Sequence, residues 1–207
     1  MLILRKPLIY ILACYSLLYG LPGLAQTTDS TKYPASLKPK AKQAMAFCKA
    51  NNYNLDFCIL IDLSLHSGLK RFFLWDFKSQ TVSGSYLVSH GCGTMPWSWA
   101  WSKEKAVLSN ADGSHCSSAW KYKIGKRGYS NWGIHVNYKL FGLDRTNSNA
   151  YARQIVFHSW EKVPDDEVYP KGTPEGWGCP AISNAAMRII DPKLKASKEP
   201  VLMWVYK

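Results

Sequence analysis

The side chains best suited to covalent chemistry in this chain are six cysteines and five histidines. Cys179 stands apart from the rest, held in "GWGCPAIS" between a glycine and a proline and just ahead of what reads as a helix start. A thiol at its ordinary pKa of about 8.5 is only a few per cent ionised at neutral pH, and the thiolate is the nucleophile. Two features could favour it: the partial positive charge at the start of a helix, and a histidine able to take the proton. Gly178 lets the backbone come close to a reacting group, so amides around Cys179 could donate to a developing oxyanion. Pro180 fixes the direction in which the chain leaves the nucleophile.

Five histidines compete for the role of base. His158 closes the strand-like run "RQIVFHSW" before a loop, where a rigid scaffold usually presents a catalytic group. His135 lies in "WGIHVNY", His90 in "SHGCG", His115 in "GSHCSS" and His66 at a hairpin tip. With Cys14 in the leader and Cys179 reserved, Cys48, Cys58, Cys92 and Cys116 form an even set that an oxidising compartment would allow to pair. Three connectivities are open, of which Cys48/Cys58 with Cys92/Cys116 is preferred because it leaves the nucleophile free; buried thiols are the alternative. His115, Cys116, His158 and Cys179 lack the ligand spacing of a zinc site.

The elements that must position these residues begin after a leader. Arg5 and Lys6 precede the uncharged "PLIYILACYSLLYGLPGLA", and Gly23-Leu24-Ala25 offers small residues for a signal peptidase cut. Residues 1–25 are expected to be a secretory signal, 26–38 a polar lead and 39–207 the folded domain. Cleavage before Cys14 with lipid attachment, or retention as an anchor, are the competing readings of the same segment. The mature chain of about 180 residues suits one domain.

From Pro39 to Asn51 the spacing predicts a helix with an Asn pair as its C-terminal cap. Strand signals follow. "FCILIDLSL" and "RFFLWDF" flank "HSGLK" as a hairpin, and "TVSGSYLVS", "WKYKIG", "GIHVNYKLFGL", "RQIVFHSW" and "VLMWVYK" continue the pattern. Helix is left for short pieces near 147–153 and from Ser183, as cap, to about Ile190. Nine tryptophans and twelve tyrosines suit a β core with aromatic clefts. The expected fold is mainly β, a sandwich or partly closed barrel with a few short helices.

Removal of the leader lowers the formal charge from +12 to +10, spread without a basic run. That balance favours anionic partners such as wall polymer, membrane surface or acidic peptides. No basic helix, finger spacing or aromatic RNA-binding signature points to nucleic acid.

The runs "SNADGSHCSSAWKYKIG", "GIHVNYKLFGLDRTNSNAYARQIVFHSW" and "GWGCPAIS" together resemble the murein L,D-transpeptidase catalytic domain family, in its exported branch with "GCPA" at the nucleophile. The resemblance extends from the strand "CILIDLSL" to the C-terminal strand. It implies Cys179 as nucleophile and His158, 21 residues upstream, as base. It implies also an oxyanion site near Gly178, a substrate cleft with Ser118, Tyr122 and Gly176, and no metal or organic cofactor. The implied partner is a peptidoglycan stem peptide, met by an exported, monomeric enzyme of the periplasm or cell envelope with no membrane span after cleavage. In this family a thioester forms as D-Ala leaves, and an amine or water then resolves it; carbapenems acylate the same cysteine.

This chain departs from the family where an Arg-Ser pair is usual and Glu175-Gly176 stands instead. The serine hydroxyl is lost, and Glu175 reverses a charge that could meet substrate carboxylates. Two alternatives follow: a wall-binding module without activity, and a wall amidase or endopeptidase, in which the cysteine would usually precede the histidine.

Overall fold

Chain closure is written in two aromatic residues. Phe72 and Phe157 stack with ring centroids 5.6 Å apart, although their strands stand second and seventh in one eight-stranded sheet. Laid flat, strands about 4.8 Å apart would separate them by more than 20 Å. The sheet is therefore rolled until it nearly closes into a barrel, with these rings in its interior. The computed structural model describes residues 32–98 and 106–207, and Pro34–Lys207 form one compact unit. The expected secretory signal, its expected cleavage after Ala25 and the alternative lipid attachment at Cys14 all fall outside the described residues.

Helix α1 (Leu37–Ala50) buries Leu37, Ala41, Ala44 and Cys48 on one face. It ends as the Asn pair suggests: Asn51 donates from Nδ2 to the Phe47 carbonyl at 2.8 Å, and Asn52 takes a φ of 57°. Strands β1 (Phe57–Asp62) and β2 (Phe72–Asp76) form the expected antiparallel hairpin, and β3 (Thr81–Tyr86) adds to β2. Then come β4 (Trp120–Tyr129), β5 (Val136–Gly142), β6 (Val156–Ser159), β7 (Ala181–Ile182), α2 (Asn184–Ala196) and β8 (Leu202–Tyr206). The spatial order is β3-β2-β1-β8-β4-β5-β6-β7.

The C-terminal strand β8 is central, parallel to β1 and antiparallel to β4. Both β1 and β8 are buried along almost their whole length, the pattern of strands covered on both faces. One core cluster joins β1, β2, β4, β5 and β6 to Ala186, Met187, Ile190 and Leu194 of α2. Ser183 caps α2, its hydroxyl accepting from the Ala186 amide at 3.2 Å.

Two differences from the sequence reading are local. Helix α2 runs to Ala196, through Pro192, rather than stopping near Ile190. Residues 147–153 form successive turns instead of a short helix. Asn147 explains this: its side chain accepts from the Asp144 amide and donates to the Lys121 carbonyl, so it ties the segment to β4 rather than to a helix. Cys48 and Cys58 are buried thiols, and burial pushes Cys48 up to about 12 and Cys58 well above the usual range.

Candidate active site

His158 is the third residue of β6, and β7 lies parallel to that strand with His158 opposite Ala181. The His158 amide donates to the Pro180 carbonyl at 3.4 Å and the Trp160 amide to Ile182 at 2.8 Å. On its other side, the Ser89 amide donates to the Ala181 carbonyl at 2.8 Å, and the Ser89 hydroxyl accepts from the Ala181 amide at 3.2 Å. The segment after Cys179 is thus clamped between β6 and the chain leaving β3. This clamp brings His158 and Cys179, 21 residues apart in sequence, to the wall of one cavity of about 360 Å³. Gly176 and Ala181 line it too, together with Trp97, Trp132, Trp160 and Trp177.

The turn that presents Cys179 depends on Gly178, whose φ is +100°. A Cβ at this position would come within 2.5 Å of the Cys116 carbonyl oxygen. That oxygen is held by Arg153, which donates to it from Nη2 at 2.7 Å and to the Ser109 carbonyl from Nη1 at 3.0 Å. Ser117 bridges two backbones: its hydroxyl donates to the Gly178 carbonyl at 3.2 Å and accepts from the Gly91 amide at 3.1 Å.

Ser118 and Tyr122 are buried behind this wall and do not line the cavity. The Tyr122 hydroxyl donates to the Ser118 carbonyl at 2.8 Å, and the Ser118 hydroxyl lies 3.4 Å from Arg153 Nη1. Burial raises the Tyr122 phenol to about 12.

The electrostatics describe a neutral pair at rest. Burial pushes the Cys179 thiol above its ordinary range, opposed by the Val156 amide and the Arg153 charge. The Val156 amide donates to Sγ at 3.4 Å. Burial pulls His158 below the usual imidazole range, opposed by its bond to the Ser159 carbonyl and by Glu161. His158 Nδ1 lies 2.9 Å from the Ser159 carbonyl oxygen. A carbonyl only accepts, so Nδ1 carries the proton and Nε2 keeps the basic lone pair of the neutral ring.

Glu175 does not face the cavity. It is 2% exposed, and its carboxylate lies 3.3 Å from His90 Nε2. Arg71, fully buried, reaches His90 Nδ1 from Nη2 at 2.8 Å and donates to the carbonyls of Val88 and Leu65. Arginine has no acceptor, so His90 must accept at Nδ1 and carry its proton at Nε2, toward Glu175. Burial brings Arg71 down to about 9, with Glu175 and Asp62 supporting its charge. The backbone completes the link: the Gly176 amide donates to the His90 carbonyl at 2.8 Å, and the Cys92 amide to the Gly176 carbonyl at 2.7 Å. The charge reversal in Glu175 is therefore answered inside the protein. At Gly176 a Cβ would meet nothing within 4 Å.

The remaining histidines are elsewhere. His135 is exposed, stacked on Tyr129 with Nδ1 3.1 Å from the Ser130 carbonyl. His66 accepts from the Gly68 amide and packs on Tyr169. His115 stacks on Trp177. Sequence reasoning missed Arg153, Arg71 and the pairing of His90 with Glu175. Arg153 was visible only as the first residue of "RQIVFHSW", in the last of the turns that precede β6, where a cation is ordinary.

No curated protein matches the chain by sequence. Among solved structures it is similar to an L,D-transpeptidase from Xylanimonas cellulosilytica, at 14% identity and a TM-score of 0.39, over 79% of this chain and 69% of that one. It is also similar to the helical cell shape determining protein Pgp2 from Campylobacter jejuni, at 9% identity and a TM-score of 0.46, over 77% of this chain and 53% of that one. A third is Bd1075 from Bdellovibrio bacteriovorus, at 12% identity and a TM-score of 0.41, over 74% of this chain and 49% of that one. The chain thus spans about half the length of the latter two. The sequence profile of the L,D-transpeptidase catalytic domain matches residues 30–205, nearly the whole chain. With that match, the chain belongs to the L,D-transpeptidase catalytic domain family.

Proposed function

We propose that this protein is an exported cysteine acyltransferase that opens the L,D-peptide bond of a peptidoglycan stem. The observation that carries the reading is the convergence of His158 and Cys179 on one cavity through the β6–β7 pairing. His158 Nε2 takes the Sγ proton as the sulfur attacks the carbonyl of the third stem residue. The tetrahedral oxyanion meets backbone N–H groups near Gly178 and Cys179. Its collapse breaks the C–N bond, the imidazolium returns its proton to the leaving D-Ala amine, and a thioester remains. An amine of a neighbouring stem, deprotonated by His158, attacks that thioester to give a 3→3 cross-link and free thiol. Water in the same place gives L,D-carboxypeptidase trimming.

A neutral resting pair fits this sequence of events. Substrate that fills the cavity brings the oxyanion donors into play, so the proton moves only when the attack does. Among the described residues no helix is long and apolar enough to cross a membrane. The test is incubation of the mature protein with a disaccharide-tetrapeptide and mass spectrometry of both partners. Loss of D-Ala, an acyl adduct on Cys179 and a cross-linked dimer or a tripeptide product are expected. A thiol that never acquires the acyl mass would leave a wall-binding module as the better account.

A further inference from the structure

The cavity that holds Cys179 is aromatic to a degree that acyl transfer does not require. Among the described residues, four of the nine that line it are tryptophans, and Cys179 and His158 are the ionisable side chains of that lining. Trp97, Trp132 and Trp177 are 42%, 43% and 61% exposed. Three large indoles left in water around one nucleophile form the kind of apolar patch that marks a ligand groove.

The rings are also fixed. Trp97 stacks on the buried Trp160 at 5.4 Å, and Trp132 packs against both, at 5.7 and 6.3 Å. The Trp132 turn is pinned to the strand end that carries His158: the Ile134 amide donates to the Ser159 hydroxyl at 3.0 Å and the Gly133 amide to Glu161 at 3.1 Å. Trp177 is braced by His115 at 5.1 Å. Lys162 lies 5.0 Å from the Trp97 ring centre and donates to the Ser98 hydroxyl, which places an ammonium donor at the rim.

Rigid indole faces with a polar rim suit a ligand that is flat, uncharged and apolar on its faces but polar at its edges. A stem peptide, rich in carboxylates and amines, is none of these; a pyranose ring is all of them. Its axial C–H groups meet the negative face of the π-system while its equatorial hydroxyls point outward to donors and water. Distance allows both at once. Three extended stem residues span at most about 10 Å, so the sugar that carries a stem must lie close to the thiol, where these tryptophans are.

We propose that the tryptophans beside Cys179 form a carbohydrate subsite, in which Trp97, Trp132 and Trp177 stack on the amino-sugar rings of a glycan-linked stem peptide. The proposal rests on the acyl-transfer reading of the same cavity and assigns its selectivity: glycan-attached stems over free peptides.

Two measurements keep the proposal apart from the reading beneath it. The first compares kcat/KM for D-Ala release from a disaccharide-tetrapeptide and from the same tetrapeptide without sugar. The ratio is expected to exceed about tenfold, a difference of about 1.4 kcal/mol, through KM. It should fall toward one in Trp97→Ala and Trp132→Ala, and recover in Trp132→Phe, which keeps an aromatic face. A wild-type ratio near one overturns the proposal and leaves the acyl-transfer reading standing. The second needs no chemistry: titration of Cys179→Ser protein with the peptide-free disaccharide, followed by indole fluorescence. Saturable quenching that is lost in Trp97→Ala supports the subsite even if no D-Ala is released by the wild type. No quenching, or quenching by an apolar peptide alone, overturns it.

Discussion

The Cys116 carbonyl oxygen occupies the space into which any side chain at position 178 would project. A Cβ on Gly178 would lie 2.5 Å from it and 3.2 Å from the Ile155 side chain, and the φ of +100° is itself unfavourable for an L side chain. Arg153 holds that oxygen at 2.7 Å, so it cannot simply yield. Gly178→Ala is expected to cost roughly 1–3 kcal/mol from the backbone alone and to lower the melting temperature by on the order of 5 °C. The neighbouring amides would shift with it, so acylation of Cys179 should also fall. An unchanged melting curve would show that the turn relaxes freely.

Gly176 is the opposite case. Space is open where its Cβ would be, and it lines the cavity. Gly176→Ser restores the hydroxyl usual in the family at this place. A gain of about 0.5 kcal/mol is expected from the stiffer unfolded chain, with faster acylation by a carbapenem. A slower rate would mean that this cleft is shaped around the missing side chain.

The Arg71–His90–Glu175 array is buried, so its members depend on one another. Removing one member of a buried charge pair costs about 3–5 kcal/mol, because the other is left uncompensated. Glu175→Ala should fall in that range by urea unfolding, and Glu175→Gln should cost clearly less because it keeps an acceptor for His90. Equal losses in the two would locate the effect in packing rather than charge.

Much of this architecture was legible from periodicity. The strands around "FCILID", "FFLWD" and "VLMWVY" and the Asn pair after α1 follow from residue types within a few positions. The nucleophile motif and the histidine before it were legible as candidates for the same reason. What stayed hidden depends on contacts distant in sequence. Strand β7 is two residues long and exists because β6 and Ser89 flank it. Glu175 looks like a solvent-facing charge until Arg71, just before β2, and His90, in the chain that follows β3, are placed behind it. Ser118 and Tyr122 sit in a polar cluster that reads like a cleft wall, yet they support Arg153 from within. The turns at 147–153 carry helical spacing, but Asn147 spends its side chain on β4.

The pH dependence follows from burial. Cys179 is raised and His158 lowered, so both are neutral across the physiological range. A thiolate gains population only as pH rises past the elevated thiol value. Alkylation by iodoacetamide without substrate should therefore climb through an inflection above about 8.5, the ordinary thiol value, with no plateau between pH 5 and 7. Arg153 favours the thiolate, so Arg153→Gln should move the inflection upward. Substrate turnover should behave differently on the acid side. His158 must be neutral to accept a proton, and its depressed pKa keeps it so until the pH drops below about 6.5, the ordinary histidine value. Rapid alkylation at pH 6 would reveal a preformed thiolate–imidazolium pair and overturn the neutral description.

The assignment of nucleophile and base gives the sharpest contrast among variants. Cys179→Ser should abolish turnover, because an alkoxide is far harder to form than a thiolate beside a neutral imidazole. His158→Ala should slow acylation by roughly 100-fold or more, the usual contribution of a positioned general base. His135→Ala is the control: its ring is exposed, stacked on Tyr129 and absent from the cavity lining, so acylation should stay within about twofold of the wild type, as for surface substitutions away from the site. A carbapenem opens its strained lactam on the sulfur without a leaving group, so its whole mass should appear on the wild type and not on Cys179→Ser. The readout is intact-protein mass spectrometry against time. If His135→Ala stops acylation and His158→Ala does not, the base has been misassigned. If neither the wild type nor any variant takes up the lactam while Cys179 still alkylates, the thiol is accessible but not catalytic, and the acyl-transfer reading is overturned.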